Sequence, residues 1–191
     1  MNFRKIFDFY FWRNECMKKK DDYKIKIWVV DVDGTLTDGS IYYNDEEKEI
    51  KKFSVKDGII FEILHFCEMK IMILTGRESI TTKRRMEDLK PDYLYQGIKD
   101  KYQFLLQFME KNKIAKEELA YIGDDLNDLA AMQLAGFIGC PADSCKEVLA
   151  CSDYVSSIKG GYGAVRDIVE HMLRKSGKWE SVITEVYTAK L

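Results

Sequence analysis

Short apolar runs alternate along this chain with longer stretches in which apolar residues recur at helical spacing. The short runs have the length and the β-branched content of buried strands. They cover residues 25–30, 71–74, 93–95, 119–122, 136–140 and 154–155. The helical spacing covers residues 58–69, 80–89, 100–112 and 126–135, and a last stretch after Gly163 as far as about residue 176. Repeated strand–helix units predict a parallel sheet with helices on both faces.

A hairpin pattern interrupts this alternation after the first strand. Two stretches with strand-forming residues, 41–43 and 50–55, flank an acidic, turn-like stretch at 44–47, a pattern typical of a β-hairpin with a charged tip. We therefore predict an α/β fold, a doubly wound, Rossmann-like parallel sheet with a β-hairpin flap at about residues 40–55. The core domain should cover residues 24–178, between an N-terminal extension at 1–23 and a C-terminal tail at 179–191.

The composition narrows the class of protein. The 191 residues are 46% hydrophobic and 32% charged, which suits one soluble globular domain. The net charge of −2 provides no electrostatic basis for binding nucleic acid or an anionic membrane. Charges interrupt the aromatic-rich N-terminus, so we expect a short helix there and no membrane span. The five cysteines include no Cys-x-x-Cys pair, as expected of reduced thiols in a cytoplasmic protein.

Polar side chains follow three of the predicted strands. Asp31 and Asp33 come after the first strand, Thr75 after the second and Asp124 after the fourth, while Lys101 opens the helix before that fourth strand. Because the carboxyl ends of parallel strands meet at one edge of the sheet, these side chains should share a crevice. Carboxylates suit Mg²⁺, and lysine and threonine suit phosphate oxygens. The sequence thus predicts a site for a divalent metal and a phosphate ester.

The motifs around these residues resemble those of the haloacid dehalogenase superfamily of phosphatases. They are DVDGT at 31–35, Thr75, Lys101 and GDDLND at 123–128. Further stretches are similar to the narrower family of 3-deoxy-D-manno-octulosonate 8-phosphate phosphatases and to its relatives acting on nine-carbon sugar acid phosphates. These are LTDG at 36–39, KFSVKDG at 52–58, TGR at 75–77, QGIKDK at 96–101 and GGYGAVR at 160–166. The resemblance extends over about residues 24–178.

This resemblance implies a Mg²⁺-dependent phosphatase that forms an aspartyl-phosphate intermediate. Asp31 would attack phosphorus, and Asp33 would protonate the leaving oxygen and then activate water. Mg²⁺ would be held by Asp31, the backbone carbonyl of Asp33 and Asp124. Thr75 and Lys101 would bind the phosphoryl oxygens.

The resemblance also implies a set of substrate contacts. They are Asp33, Ser54, Val55, Lys56, Asp57, Gly58, Thr75, Gly76, Arg77, Arg85 and Lys101. Simpler interpretations stay open for some of them, because Asp57 could start a helix and Arg85 could lie on a solvated helix face. Asp125 and Asp128 could hold the metal ligands in position or cap the following helix.

The implied substrate is 3-deoxy-D-manno-octulosonate 8-phosphate. Ile60 and Glu62 stand where that family commonly has glycine and arginine, which leaves a nine-carbon, sialic-acid-type 9-phosphate (of KDN or an N-acylneuraminate) as an alternative. A third alternative is a non-catalytic assembly domain of the sugar-acid cytidylyltransferase type. The complete set of catalytic residues argues against that role.

The spacing of the motifs leaves no room for a lid domain. Asp31 and Thr75 are 44 positions apart, and a hairpin and one helix fill this interval. An open crevice would expose the intermediate to water, so a neighbouring subunit should close it. The resemblance implies a homotetramer assembled through the hairpins. Residues 160–163 and the tail at 176–191 are candidates to reach an adjacent site.

Overall fold

A six-stranded sheet forms the centre of the fold in the computed structural model, which describes residues 24–46 and 48–188. Its spatial order is β5 (Tyr93–Tyr95), β4 (Lys70–Leu74), β1 (Ile27–Val30), β6 (Leu119–Ile122), β7 (Phe137–Cys140) and β8 (Tyr154–Val155). All neighbouring strands in it are parallel. The chain winds outward from β1 first on one side and then on the other, so the carboxyl end of β1 lies at the topological switch point. The predicted doubly wound α/β fold is confirmed.

Helices cover both faces of the sheet. One face carries α1 (Val55–Phe66), α2 (Ile80–Leu89), α6 (Ala164–Lys175) and α7 (Trp179–Val182), and the other carries α3 (Lys101–Asn112), α4 (Leu129–Met132) and α5 (Lys146–Cys151). Successive residues of β1 alternate between the two cores: Trp28 packs in the first and Val29 in the second. A strand buried on both sides reads as a continuous apolar run, which is why the sequence pattern located these strands.

The predicted hairpin is present but shorter than expected. Strand β2 (Tyr42–Tyr43) pairs antiparallel with β3 (Glu49–Ile50), and a bridge between Thr37 and Phe53 joins its base to the loop after β1. The second arm ends early because α1 begins at Val55. The Ser54 hydroxyl accepts a hydrogen bond from the Lys56 backbone N–H at 3.1 Å and caps this helix.

Between residues 126 and 151 the helices differ from the prediction in two places. The stretch at 126–135 contains only the short helix α4, and tight turns follow it in which each N–H bonds three residues back, as from Leu134 to Ala131 at 3.0 Å. Both turn types place apolar residues on one side, so the spacing did not distinguish them. Helix α5 was not predicted, although Val148 and Cys151 are buried at helical spacing.

The chain continues past the expected end of the core domain. Trp179 and Val182 of α7 are buried in the same core as Trp28, and a π-helical segment, Ile183–Thr188, follows. The first part of the expected tail therefore packs on its own domain. The short helix expected within residues 1–23 lies outside the described residues. Across the described ranges, no helix has the length and apolar character needed to cross a membrane.

Asp57 connects α1 to α6. This residue is 1% exposed, and its carboxylate accepts hydrogen bonds from the backbone N–H groups of Gly163 and Arg166, both at 3.0 Å. These N–H groups belong to the first turn of α6, which has no preceding carbonyls to bond. Asp57 thus holds α6 against α1 across more than 100 residues of sequence.

We expect Asp57→Ala to lower the free energy of unfolding by about 2 kcal/mol, because it leaves two backbone donors without their partner. Urea denaturation followed by circular dichroism measures the change. Lys56→Ala is the matched control, since Lys56 is exposed, and should change the free energy by less than about 0.5 kcal/mol. Equal effects of the two substitutions would contradict this role of Asp57.

Candidate active site

A buried lysine joins two carboxylates at the carboxyl end of β1. Lys101 is the first residue of α3, which Asp100 caps through the Gln103 N–H at 3.0 Å. Its Nζ donates to Asp31 Oδ1 and to Asp128 Oδ1, each at 2.6 Å. Lys101 and Asp128 are almost fully shielded from solvent and Asp31 nearly so. The three predicted motifs that contain these residues therefore meet at one point.

Asp128 holds Lys101 and the loop of Asp124 in position. Its Oδ1 also accepts from the Tyr121 hydroxyl at 2.7 Å, and its Oδ2 accepts from the Asp124 backbone N–H at 3.2 Å. Protein donors thus occupy both oxygens, which favours Asp128 as a group that positions Lys101 and the Asp124 loop. Asp125 is exposed and accepts from the Leu126 N–H at 2.8 Å, a local turn contact.

The carboxylates can hold a divalent cation. One oxygen each from Asp31, Asp124 and Asp128 lie within 4.8 Å of one another, and an all-oxygen donor set suits a hard divalent ion. Asp124 is oriented by the Thr35 hydroxyl, which donates to its Oδ1 at 3.0 Å. Gly34 makes this approach possible, because a Cβ there would lie 1.9 Å from Asp124 Oδ2. Since Asp128 is occupied, Asp31 and Asp124 are the side chains that fit the role of ligands.

Burial and mutual repulsion shift the pKa values of these groups. Burial, followed by the charge of Asp128, raises the pKa of Asp31 well above its usual value and raises that of Asp124 to about 7. Burial opposes the charged form of Lys101, but Asp31 and Asp128 outweigh it and raise its pKa. Carboxylates outnumber the one lysine among them, so a divalent cation would relieve the excess negative charge.

A cavity of about 280 Å³ opens above Asp31 and Lys101. Its lining residues are Asp31, Asp33, Thr75, Gly76, Arg77, Ile98, Lys99, Lys101 and Asn127. Six of the residues predicted for the site are in this set, and three cationic side chains among its members suit an anionic substrate. Lys99 and Asn127 were not predicted, although both lie inside motifs that were identified. Lys99 donates to the Gly76 carbonyl at 2.8 Å.

The other predicted substrate contacts, residues 54–58 and Arg85, do not line this cavity in the described part of the chain. Ser54 and Asp57 are engaged as helix caps, and residues 55 and 56 are exposed. Arg85 lies against Gly58, where a Cβ would be 2.8 Å from Arg85 Nη2. The structure thus gathers these residues along α1 and α2 and leaves their role toward a substrate as a prediction.

The glycine-rich loop at 160–163 packs against the Asp31 loop of its own chain. A Cβ at Gly160 would lie 1.8 Å from the Gly34 carbonyl oxygen, and the Gly161 N–H donates to the Thr35 carbonyl at 3.1 Å. These contacts explain the glycines without a neighbouring subunit. The loop thus packs against the loop that carries Asp31, and its expected reach to an adjacent site stays a prediction.

Known proteins share this arrangement. Residues 94–160 match the family described as haloacid dehalogenase-like hydrolase, the class to which this sheet and site belong. The 3-deoxy-D-manno-octulosonate 8-phosphate phosphatase KdsC of Escherichia coli (strain K12) is 36% identical over 154 residues, 81% of this chain and 82% of that protein. Its counterpart in Yersinia pestis is 35% identical over 156 residues, 82% and 83% of the two chains. The chain therefore belongs to the haloacid dehalogenase-like hydrolases, within them to the family of these 3-deoxy-D-manno-octulosonate 8-phosphate phosphatases, and it is a phosphatase.

Solved structures extend the similarity. The 3-deoxy-D-manno-octulosonate 8-phosphate phosphatase of Moraxella catarrhalis, in complex with magnesium ion, phosphate ion and KDO, superimposes with a TM-score of 0.81 at 34% identity, covering 97% of this chain and 99% of that one. The cobalt-bound phosphatase of Haemophilus influenzae gives 0.78 at 34% identity, covering 84% and 94%. Together with the carboxylate cluster described above, these metal-bound relatives support a divalent metal in this site.

The raised pKa of Asp124 predicts how the metal-free protein responds to pH. The folded state holds this proton up to about pH 7, whereas the unfolded state releases it near the ordinary value of 3.8. The stability that this proton contributes is fully present below the unfolded value and is lost as the pH rises through 7. Between about pH 5 and about pH 8, the free energy of unfolding should fall by on the order of 2 kcal/mol more in the wild type than in Asp124→Asn.

Urea denaturation in a chelator at several pH values measures this difference. Added divalent metal should abolish the extra fall in the wild type, because the ion stabilises the ionised carboxylate, and should have a smaller effect on Asp124→Asn. Parallel pH profiles of the two metal-free proteins would contradict the assignment.

Proposed function

We propose that this phosphatase releases phosphate from 3-deoxy-D-manno-octulosonate 8-phosphate, with Mg²⁺ and through an aspartyl-phosphate intermediate. The observation that carries the proposal is the position of Asp31, buried at the cavity with Oδ1 bound to Lys101 at 2.6 Å. The relatives named for this activity match more than four fifths of the chain.

Asp31 is the proposed nucleophile. Lys101 holds its Oδ1 and leaves the other oxygen to attack phosphorus, while Asp128 and Tyr121 keep Lys101 in place. The Lys101 charge and the Thr75 hydroxyl stabilise the negative charge on the transferring group. Mg²⁺, held by Asp31, Asp124 and the Asp33 carbonyl, would supply further stabilisation of that charge.

Asp33 is the proposed general acid and base. It lines the cavity two residues after Asp31, within the same loop. In this role it donates a proton to the sugar oxygen that leaves, and then accepts a proton from the water that hydrolyses the aspartyl-phosphate.

Arg77 is the proposed contact for the sugar acid carboxylate inside this chain. Its side chain is 44% exposed and lines the cavity, and its guanidinium donates to Glu49 Oε2 at 2.6 Å, which holds the planar group in place. Residues 54–58 and Arg85 are proposed as further contacts. Ile60 is buried in the core and Glu62 lies 3.5 Å from the Tyr187 hydroxyl, and neither lines the cavity.

Phosphate release from both kinds of sugar phosphate, in the presence of Mg²⁺, tests this proposal. We expect the eight-carbon ester to have the higher kcat/KM, and we expect Asp31→Asn to lower kcat by about 1000-fold or more, because it removes the nucleophile. Asp88→Asn is the control, since Asp88 pairs only with Arg84 on the exposed face of α2 among the contacts of the described chain. A higher kcat/KM for the nine-carbon ester would contradict the proposed substrate and keep the proposed reaction. No release from any sugar phosphate, with Asp31→Asn equal to wild type, would favour the assembly role.

The hairpin is the proposed surface for assembly into a homotetramer of a cytoplasmic enzyme. Ile41, Tyr42, Tyr43 and Ile50 are 41–68% exposed on this short hairpin. Clustered apolar side chains on a projecting element mark an interaction site.

Tyr43→Asp combined with Ile50→Asp should therefore convert the assembly to smaller species, because the substitutions place charges in the interface. Size-exclusion chromatography with light scattering measures the mass. Phe66→Asp is the control for a general effect of charge, because Phe66 is an exposed apolar residue at the end of α1. A wild-type monomer with full activity would contradict the proposal.

A further inference from the structure

Four charged side chains form a closed ring at the base of the hairpin. Lys51 Nζ contacts Asp33 Oδ1 and lies 3.5 Å from Glu49 Oε1. Arg77 donates to Glu49 Oε2 at 2.6 Å, and its Nε lies 3.8 Å from Asp33 Oδ2. Positive and negative groups alternate around this ring, which joins the hairpin to the proposed acid and base.

Lys51 is the buried member of the ring. Its side chain is 1% exposed, against 44% for Arg77. Removing an ammonium group from water costs several kcal/mol unless anionic partners compensate, and the carboxylates of Asp33 and Glu49 provide that compensation. Lys51 is also absent from the lining of the cavity, whereas Asp33 is part of it. A substrate in the cavity therefore contacts Asp33, while Lys51 contacts the same carboxylate from outside the cavity.

The two oxygens of Asp33 have different surroundings. Oδ1 accepts the hydrogen bond from Lys51. Oδ2 is buried and has no hydrogen-bond partner among the described residues, and the Arg77 guanidinium faces it as an ion pair at 3.8 Å. Among the described residues, Lys51 therefore supplies the hydrogen bond that fixes the orientation of this carboxylate.

We propose that Lys51 is a positioning residue that orients the Asp33 carboxyl for its work as general acid and base. This inference rests on the proposed function, in which Asp33 is the general acid and base. Lys51 directly follows β3, so the hairpin itself sets the orientation of the catalytic carboxyl. No signal in the motifs around Asp31 indicated this residue.

Both steps of the reaction use the carboxyl that Lys51 orients. In the first, an Asp31 oxygen bonds to phosphorus as the ester P–O bond breaks, and the sugar oxygen keeps the electron pair and takes a proton from the Asp33 carboxyl. In the second, water bonds to phosphorus and gives a proton to the Asp33 carboxylate, and the bond from phosphorus to Asp31 breaks with its electron pair returning to the Asp31 carboxylate. The starting state is restored.

Leaving-group dependence tests the proposal. A sugar alkoxide needs a proton to depart, whereas p-nitrophenolate does not, and kcat/KM reports the steps through the first phosphoryl transfer. Lys51→Met should lower kcat/KM for the sugar phosphate by about 100-fold and that for p-nitrophenyl phosphate by less than about 5-fold. Lys51→Gln keeps a donor for Oδ1 and should show the same selectivity with a smaller loss, which also covers the case in which the methionine variant does not fold.

Lys48→Met is the matched control. Lys48 lies on the same hairpin but pairs with Glu46 at its exposed tip, at 2.5 Å, so both substrates should keep wild-type kcat/KM. An equal loss on both substrates in the Lys51 variants, or no loss on either, would overturn the role of Lys51 alone. A wild type without phosphatase activity on the sugar phosphate, or an Asp33→Asn variant with wild-type activity, would overturn the proposed function and this inference with it.

Discussion

The ion pairs of one buried lysine organise the site. Lys101 bonds to Asp31 after β1 and to Asp128 after β6, so three segments far apart in the chain meet at a single nitrogen atom. A lysine without these partners would be costly to bury, and the carboxylates without the lysine would repel each other. The loops at the sheet edge are thus held together by charges that the core could not bury separately.

The same carboxylates link the stability of the fold to the chemistry of the site. Asp31 and Asp124 are destabilised as free anions in this surrounding, which is the condition in which a metal ion and a phosphoryl group gain most from binding. Gly34 and Gly160 permit this crowding, because any side chain at either position would collide with a neighbouring loop. The crowding of the carboxylates therefore produces both the close packing around Asp31 and the affinity for a cation.

The strands and their polar ends could be predicted from the sequence because each strand is buried on both faces and each end carries a charged motif. The length of the helix within residues 126–135 could not be predicted, since α-helical and tighter turns share the same apolar spacing. Within the site, Tyr121 reads as an ordinary core residue of β6, and only its hydroxyl contact with Asp128 shows otherwise. Lys51 was not predictable either, because its contact with Asp33 depends on where the hairpin folds back.

The central position of β1 has a consequence for how the enzyme comes into being. The strand that carries Asp31 is made early, yet one of its partners in the sheet, β6, begins only at Leu119, and the loop behind it includes Gly161. During synthesis β1 can pair with β4 once Leu74 has been made, but its other edge stays unpaired until β6 follows, since parallel partners need long connections. A ribosome-bound fragment would hold every residue of the nucleophile loop and still lack the active site.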